Sequence, residues 1–459
     1  MFKGAKARRL DTSSKFGVPA PLKVFRVPPT DHTVKGNDVV PHRPRSIMGD
    51  GKETQYEVSG DTERLIKASE IFISGGIRIF SKRTGKPITK TDSVGFIDNA
   101  AQSIWESMHV QYGSGDNTVD STTFYGVKSY LLARLTHSSD ANNGYKTASI
   151  LEKDTAGQMD AVPGTECKNE GLVKRCKYTE GGKIVYFRSR LDCDVFNTEK
   201  YIPSMVNMRI TLYKASAAFC LMAGKQKDED GKVTLDPDFD FEIINPILWV
   251  TKIKPLGSVM EGLNKALEMK KAKYKLTRMV MRDCPITTEF TFHSINNVFS
   301  GQIPNRIIYG LVAEKAIAGD YGLNPYNFQH CDVIKTSVEI EGKTYPTIPY
   351  QPDYAKGDYM REFHGLFDAM GIRYGNKGFN IHRDEYPNGY CLYAFDLTPN
   401  RGASDPSSIN LVRFGSLRID FQFKNKLPQP MTCIVLGEFD NVLQIDHNRN
   451  IINDFTLAK

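Results

Sequence analysis

The fold of this 459-residue chain is constrained most by its short segments of alternating apolar and polar residues, which begin near residue 54. Gly, Asn, Asp or Pro interrupts each segment. A period of two places alternate side chains on one face of a strand, as in antiparallel sheets with one buried face. The clearest examples are Ile71–Ile79, Met108–Tyr112, Ile184–Phe187, Met208–Tyr213, Ile307–Val312, Val333–Ile340, Leu417–Phe423 and Thr432–Ile445. We therefore predict an all-β protein of antiparallel sandwiches or barrels, because strands do not alternate regularly with long helices.

Two segments have a helical period instead. Ser121–Leu135 places its apolar residues on one face, and we expect Asp120 or Ser121 to cap it. Asp358–Met370 has the same pattern, and Gly371 is expected to end it. Both are predicted to be short helices in connecting loops, at equivalent corners of two sandwiches.

A third helix is predicted over Ser258–Lys271, between two β-rich halves. Ser258 and Glu261 have the spacing of a capping box, and a lysine-rich stretch follows. We interpret this helix as a linker between domains. The predicted boundaries are an arm at 1–50, a first sandwich at 51–255, a linker helix at 256–275 and a second sandwich at 276–459.

The two halves repeat the same order of elements. In the first half, a strand ending at Tyr112 is followed by a Gly-rich turn, a helix and the alternating segment Met208–Leu212. In the second half, a strand ending at Ile340 is followed by a turn, a helix and Leu417–Phe421. This repetition favours one β-fold used twice.

Positive charge is concentrated at the N-terminus. Residues 1–50 hold ten Lys and Arg against four Asp, which is +6 of the chain's net +7. The same residues include six prolines and have no sustained period, so we interpret them as an extended arm. The arm is either a solvated tail or a segment that binds an acidic partner, an anionic membrane or a nucleic acid.

Eight cysteines occur singly, without a C-x-x-C pair, which indicates a reducing compartment rather than a disulfide framework. The longest apolar run, Ala215–Gly224, is about half of a membrane span. No apolar signal segment is visible at the N-terminus. We expect a soluble protein that is made in the cytosol of its host cell, is not secreted and has no transmembrane segment.

Several motifs suggest chemistry but lack the companions that the chemistry needs. His382-Arg383-Asp384 resembles part of a kinase catalytic loop, without a Gly-rich loop or D-F-G. Asp228-Glu229-Asp230-Gly231 begins like a calcium loop but lacks the later ligands, which favours a turn.

Two further candidates are weak. Asp236, Asp238, Asp240 and Glu242 alternate with Phe239 and Phe241, which indicates an acidic solvated face of a strand more readily than an acid–base pair. The adjacent His330 and Cys331 are expected to point to opposite sides of a strand. We therefore predict no catalytic residues, no cofactor site, no metal site and no small-molecule substrate, and hence no enzyme.

Several runs resemble one protein family over about residues 24 to 455. They are Val27–Thr30, Lys153–Gln158, Gln302–Val312, Asn324–Phe328, Tyr393–Asn400, Glu438–Val442, Ile445–Asp446 and Asn448–Asn450. These runs are similar to the capsid proteins of Maverick/Polinton elements and the related adintoviruses, copies of which lie integrated in animal genomes. The final seventy residues carry the most specific part of the likeness.

The resemblance implies a major capsid protein of the double jelly-roll type, similar in plan to adenovirus hexon. Two tandem eight-stranded jelly-roll β-sandwiches would stand side by side, and three chains would form a pseudo-hexagonal capsomer of an icosahedral shell. The implied location is the virion. The implied partners are copies of the chain, neighbouring capsomers and penton or minor capsid proteins, with the basic arm in possible contact with inner capsid components or the genome.

Three alternatives from other classes remain open. A minor, penton-type capsid protein would form pentamers from one jelly roll. A domesticated host protein of capsid descent would keep the fold without forming particles. The third is a carbohydrate-binding β-sandwich, and a carbohydrate-active enzyme of this kind would need paired carboxylates in a groove.

Overall fold

The computed structural model describes residues 13, 18–25, 27–48, 52–113, 118–164, 166–227, 233–372 and 378–453. The basic cluster of Lys3, Lys6, Arg8 and Arg9 lies outside the described residues, as does the calcium-like segment 228–231.

The first half contains eight principal strands, all paired antiparallel. They are β1 (Val34–His42), β2 (Glu53–Val58), β3 (Leu65–Ser81), β4 (Trp105–Tyr112), β5 (Thr118–Thr122), β6 (Val185–Arg190), β7 (Met208–Lys214) and β8 (Phe239–Pro255). One sheet has the order β1-β8-β3-β6, and the other has β2-β7-β4-β5 with a short strand, Ser46–Met48, beside β2.

The second half repeats this arrangement with eight more strands. They are β9 (Ala272–Ile286), β10 (Phe292–Ile295), β11 (Arg306–Ala313), β12 (Val333–Ile340), β13 (Lys343–Tyr350), β14 (Leu392–Asp396), β15 (Leu417–Phe423) and β16 (Met431–Ile445). The sheet orders are β9-β16-β11-β14 and β10-β15-β12-β13. In each half, strands 1, 8, 3 and 6 therefore face strands 2, 7, 4 and 5, which is the connectivity of a jelly roll.

Short strands and helices occupy the connections. The remaining strands are Val94–Phe96, Leu221–Ala223, Gln226–Lys227, Val233–Leu235, Gln302–Ile303, Phe328–Gln329, Asn388–Gly389, Arg413–Phe414 and Ile451–Asn453. The longer helices are α1 (Tyr125–Leu135), α2 (Glu170–Thr179), α3 (Gly257–Met269) and α4 (Met360–Ala369). Short α-helices lie at Ala100–Ser103, Ser139–Asn143, Ala217–Cys220 and Glu314–Ala318, with 3-10 turns at Ala20–Leu22, Tyr145–Ser149, Glu180–Gly182, Asp194–Phe196 and Tyr354–Lys356.

The alternating segments of the sequence are strands, as predicted. β12 and β15 have the predicted bounds, and the other predicted segments lie within or overlap their strands. Burial follows the period of two: in β15, Leu417, Ile419 and Phe421 are buried while the residues between them are partly exposed. The predicted all-β fold of two eight-stranded jelly rolls with short helices in the loops is confirmed.

The predicted arm at 1–50 is too long, because residues 34–48 belong to the sheets of the first sandwich. β1 pairs with β8 from Val34 to His42. The alternation of apolar and polar residues is absent from β1 because it is an edge strand whose side chains are mostly exposed. An edge strand also tolerates a proline such as Pro41.

The start of α1 also differs from the prediction. Residues Thr118–Thr122 pair with β4, so the helix begins at Tyr125 rather than at Ser121. Phe124 is the N-cap residue, in a left-handed conformation and without a side-chain cap. Neither Asp120 nor Ser121 caps the helix, because sheet pairing takes precedence over the local capping preference.

The linker helix α3 lies where it was predicted, but its capping box does not form. Leu256 is the N-cap residue and no side chain caps the helix, so Ser258 lies inside the first turn. The next strand begins at Ala272, so residues 272–275 belong to the second sandwich and not to the linker.

Helix α4 matches its prediction and ends at the expected glycine. Gly371 has φ +72° and donates to the carbonyl of Asp368 at 3.1 Å, while Ile372 donates to Phe367 at 2.9 Å. These two bonds form a Schellman motif, in which glycine is favoured because its backbone is left-handed.

Helices α1 and α4 occupy the same place in the chain order, between strands five and six of their sandwiches. Their packing differs, however. α4 packs against β14 of its own sandwich, whereas Val127, Tyr130 and Leu131 of α1 join the core of the second half. The expectation of equivalent corners thus holds for the connectivity and fails for the packing.

Candidate functional site at the junction of the two sandwiches

The acidic alternating segment does not form an acid–base pair. From residue 239 onward it is part of β8, where Phe239 and Phe241 are fully buried. Asp240 forms an ion pair with Lys214 at 3.0 Å, on the partly exposed face of the strand. The geometry agrees with the interpretation of a strand that has an acidic solvated face.

The His–Cys neighbours lie in the turn before β12 rather than on a strand. The ring of His330 stacks on Tyr354 at 4.3 Å, and Cys331 has a positive φ. Burial lowers the pKa of His330 and raises the pKa of Cys331 to about 12. A thiol with so high a pKa is a poor nucleophile at neutral pH.

The kinase-like triplet is a polar loop. Glu385 accepts a hydrogen bond from the backbone of His382 at 2.8 Å, and both Arg383 and Asp384 are exposed. Within the described residues, no group of three or more His, Cys, Asp or Glu side chains could hold a metal ion. No helix in the described part of the chain has the length and apolarity needed to cross a membrane. The absence of catalytic, cofactor and metal sites stays a prediction.

The most elaborate polar arrangement lies at the junction between the sandwiches, around α1. The ring of Tyr130 stacks on Tyr326 of the second half, with 4.0 Å between centroids. The hydroxyl of Tyr326 lies 2.6 Å from the hydroxyl of Ser103 in the first half. Both tyrosines are buried, so α1 forms a wedge whose apolar face completes the second core.

Four fully buried charged side chains lie beside this wedge: Asp98, Arg134, Arg175 and Asp154. Arg134 pairs with Asp98, and Arg175 pairs with Asp154 at 2.5 Å. Burial raises the pKa of Asp98, and the two arginines oppose this rise. Buried charges are tolerated only when they are paired and hydrogen-bonded, so these side chains hold one another in place.

The same carboxylate connects the two halves. Asp154 accepts from the side-chain amide of Asn324 at 2.9 Å, and its backbone carbonyl accepts from the hydroxyl of Tyr390 at 2.8 Å. The runs Lys153–Gln158 and Asn324–Phe328, which are far apart in sequence, therefore meet at this point. They are two of the runs on which the family resemblance rests.

A second buried ion pair bridges the sandwiches through Asp194. One carboxylate oxygen lies 2.7 Å from the ammonium of Lys128 on α1, and the other accepts from the backbone of Met279 on β9 at 2.7 Å. Burial raises the pKa of Asp194, and Lys128 opposes this rise. Burial would lower the pKa of Lys128, but Asp194 and Asp120 outweigh it and keep this lysine protonated.

Further polar contacts surround this centre. Lys153 pairs with Glu385 at 2.5 Å, and Asp160 accepts from Asn327 at 2.6 Å. A cleft of about 480 Å³ lies next to these residues and is lined by both halves. The cleft is lined by polar and apolar residues in similar number, and Asp160 and Asp332 are its two carboxylates.

The long ladder of β9 and β16 also joins the two cores. Its first residues, including Tyr274 and Ile445, lie in the core of the first half. Its later residues, including Met281 and Ile434, lie in the core of the second half. The two sandwiches are therefore joined by this shared ladder as well as by the buried ion pairs.

Sequence reasoning missed the buried Lys128, Arg134 and Arg175. Composition gives no sign of burial for such residues, because Lys and Arg are almost always exposed. The family resemblance was the one indication of this site, because its run Lys153–Gln158 contains Asp154, the carboxylate that pairs with Arg175.

Comparison with known proteins places the fold. No protein-family model matches the chain. In sequence it is 24% identical over 381 residues to the uncharacterized protein F54H12.2 of Caenorhabditis elegans, over 80% of this chain and 84% of that protein.

The chain is also similar to solved viral structures along nearly its whole length. A chain of the Sputnik virophage, solved by cryo-EM, has a TM-score of 0.68 at 10% identity and covers 98% of this chain and 95% of its own. The mavirus major capsid protein has a TM-score of 0.54 at 10% identity, and the match covers 99% of this chain and 97% of that protein. This fold is a double jelly roll. A chain of the PBCV-1 capsid shares the double jelly roll with a TM-score of 0.56 at 12% identity. That match covers 94% of this chain and 99% of the PBCV-1 chain. Two of these structural relatives are thus a major capsid protein and a chain of a virus capsid.

Proposed function

We propose that this chain is a viral major capsid protein that forms homotrimeric, pseudo-hexagonal capsomers of an icosahedral shell. One observation carries the proposal: the double jelly roll aligns with the mavirus major capsid protein over 99% of this chain and 97% of that protein. Little of the chain is therefore left for a separate domain with another task. A penton-type protein with one jelly roll is disfavoured, because both jelly rolls are complete here.

The junction supports this function. A trimer acquires a pseudo-hexagonal outline only if the two sandwiches of each chain keep a fixed relative orientation. The buried pairs of Arg175 with Asp154 and of Lys128 with Asp194 contribute to that fixed orientation, as does the shared β9–β16 ladder.

The finer assignment is to the capsid proteins of Maverick/Polinton elements and adintoviruses. It is supported by the resemblance of the quoted runs, two of which meet at Asp154 and Asn324. The nematode relative supports it as well, because such elements lie integrated in animal genomes. The proposed location is the virion. The partners are other copies of the chain, penton or minor capsid proteins and, for the basic arm, inner capsid components or the genome.

The nematode relative also favours a second candidate, a domesticated host protein of capsid descent. Such a protein would keep the double jelly roll and would not build shells.

Light scattering combined with electron microscopy of the purified full-length chain tests the proposal. We expect trimers of about 155 kDa, three times the chain mass of 51.6 kDa, together with shells under assembly conditions. Trimers that never form shells would favour the domesticated protein. A monodisperse monomer at micromolar concentration would contradict the capsomer proposal.

A further inference from the structure

The cleft between the two halves has room for a small ligand. Its volume of about 480 Å³ lies within the range of roughly 300–1,000 Å³ that small-ligand sites occupy. Four separate segments converge on it, one from the first half and three from the second. They are residues 157–161, 329–332, 387–389 and 425–428. Groups from distant parts of the chain therefore face one enclosed space, as they do in ligand sites.

Three amide side chains of this cleft are free to bind a ligand. The side chains of Gln158, Gln329 and Asn425 line the cleft and have no hydrogen-bond partner among the described residues. Each amide group offers two donor hydrogens and an acceptor oxygen. The three side chains come from three different segments, so together they can surround a ligand that both donates and accepts hydrogen bonds.

Other polar groups of the wall are already held in place. Asp160 accepts from the backbone of Asn324 at 2.8 Å and from the side chain of Asn327 at 2.6 Å. The Nδ1 atom of His330 accepts from the backbone of Asp332 at 3.0 Å, so the neutral ring carries its proton on Nε2. A wall fixed in this way lowers the entropic cost of binding.

The cleft also has an apolar part. Met159, Leu427 and Met431 line it and are almost fully buried. A sugar ring has a face of C–H groups and a rim of hydroxyl groups, so it can place its apolar face on such side chains while its hydroxyl groups reach the amides. The mixture of apolar and polar lining is therefore suited to a saccharide.

The charges of the cleft favour an uncharged ligand. Asp160 and Asp332 are its carboxylates, and Lys426 is its lysine, which has no ion-pair partner among the described residues. An anionic ligand that approached Lys426 would also lie beside two carboxylates. A hydroxyl group can instead donate to a carboxylate and accept from the lysine, so a polyhydroxyl ligand satisfies both signs of charge.

The backbone around the cleft disfavours an extended peptide. Gln329 pairs with Leu311 on one side and with Asn388 on the other. The carbonyl of Asn388 accepts in turn from the backbone of Gly157 at 2.8 Å. A peptide that binds by strand addition needs an open strand edge, and these pairings close the edge that lines the cleft.

The cleft lies far from the attachment point of the N-terminal segment. Met431 pairs with Ile286 at one end of the β9–β16 ladder, and Ala272, at the other end, follows α3. A strand of this length spans about 50 Å. The N-terminal segment enters β1 beside the start of α3, where the carbonyl of Thr33 accepts from Leu256. If the basic arm contacts the interior of a shell, the cleft therefore faces outward.

Resting on the proposed capsid function, we propose that this cleft binds a neutral saccharide and attaches the virion to glycans on the surface of a host cell. The free amides supply the hydrogen bonds, and the apolar side chains supply the contact with the sugar ring. The saccharide site itself depends only on the geometry of the single chain, whereas its role in attachment depends on the capsid.

A glycan array tests the proposal with the purified full-length protein, whose assembly mass is first measured by light scattering. The probes are neutral glycans that end in galactose, glucose, mannose or N-acetylglucosamine, with sialylated and sulfated glycans on the same array. We expect binding to neutral glycans and none to the acidic ones. The neutral oligosaccharide that binds best is then titrated in solution by calorimetry.

Gln158→Ala and Asn425→Ala should each weaken this binding by about 3- to 10-fold, because each removes hydrogen bonds to the ligand. The unfolding midpoint should not change, since neither side chain has a hydrogen-bond partner among the described residues. Gln444→Ala is the matched control. Gln444 is also partly exposed, but it lies near the other end of the β9–β16 ladder, so this variant should bind like the wild type.

The outcomes separate this proposal from the capsomer. A trimer that binds no neutral glycan, prefers acidic glycans or keeps its affinity in both cleft variants would overturn the saccharide site and leave the capsomer intact. A monomer that binds through the cleft would confirm the site and contradict the capsomer. Shells that lose the binding shown by free trimers would mean that a protein segment covers the cleft, and would overturn its role in attachment.

Discussion

The guanidinium of Arg175 and the carboxylate of Asp154 lie 2.5 Å apart with both side chains fully shielded from solvent. Asp154 also accepts from Asn324 of the second sandwich, so one buried ion pair lies on the boundary between the two jelly rolls. The stability of the junction should therefore depend on charge pairing as well as on apolar packing.

Replacing Arg175 by Met should lower the free energy of unfolding by about 3–5 kcal/mol, because Asp154 would keep a buried charge without its cation. Chemical denaturation measures the loss. Lys265→Met serves as the control, since Lys265 pairs with Glu261 on the exposed face of α3, and we expect a change below about 1 kcal/mol. Equal losses in the two variants would contradict a special role for the buried pair.

Two buried tyrosines should respond oppositely to removal of the hydroxyl group. The hydroxyl of Tyr309 lies 2.8 Å from that of Thr336, whereas the hydroxyl of Tyr112 has no partner among the described residues. Tyr309→Phe should cost about 1 kcal/mol, and Tyr112→Phe should be neutral or slightly stabilising. Thermal unfolding of the two variants measures these changes. A larger loss of stability in Tyr112→Phe than in Tyr309→Phe would contradict these assignments.

Helix caps give a third comparison. The side chain of Asn169 caps α2 by accepting from Leu172 at 3.3 Å, and it also donates to Asp154 at 2.9 Å. Asn169→Ala should cost at least about 1 kcal/mol. Ser258→Ala should leave the unfolding midpoint unchanged, because the predicted capping box is not formed. A large loss of stability in Ser258→Ala would show that the side chain of Ser258 does cap α3.

Stability should fall as the solution becomes acidic, in part through His330. Burial lowers the pKa of this histidine in the folded chain, so the unfolded chain binds its proton more readily. The contribution is fully present above the unfolded pKa near 6.5 and is lost as pH falls through the lower folded pKa. His330→Gln should flatten the decline in melting temperature between neutral pH and about pH 5. An unchanged slope would exclude His330 as a source of the decline.

The sequence predicted most of the sandwich strands because their side chains alternate between core and solvent. It failed where that alternation is absent or where pairing overrides local preference. β1 is an exposed edge strand and gave no period, and the strand Thr118–Thr122 displaced the expected start of α1. Repeated element order predicted the duplication correctly, because both halves share one connectivity.

The junction could not be predicted from local pattern. Lys128, Arg134 and Arg175 look like surface residues in sequence, and only the folded chain brings them to Asp194, Asp98 and Asp154. Long-range partners of this kind leave no periodic signal. The runs behind the family resemblance located part of the site without explaining it.

The central claim is that three copies of this double jelly roll form one capsomer. Cryo-EM of the purified full-length protein tests it most directly. We expect a three-fold particle of about 155 kDa in which six jelly rolls form a pseudo-hexagonal outline. A five-fold particle, or a population that stays monomeric under assembly conditions, would contradict it.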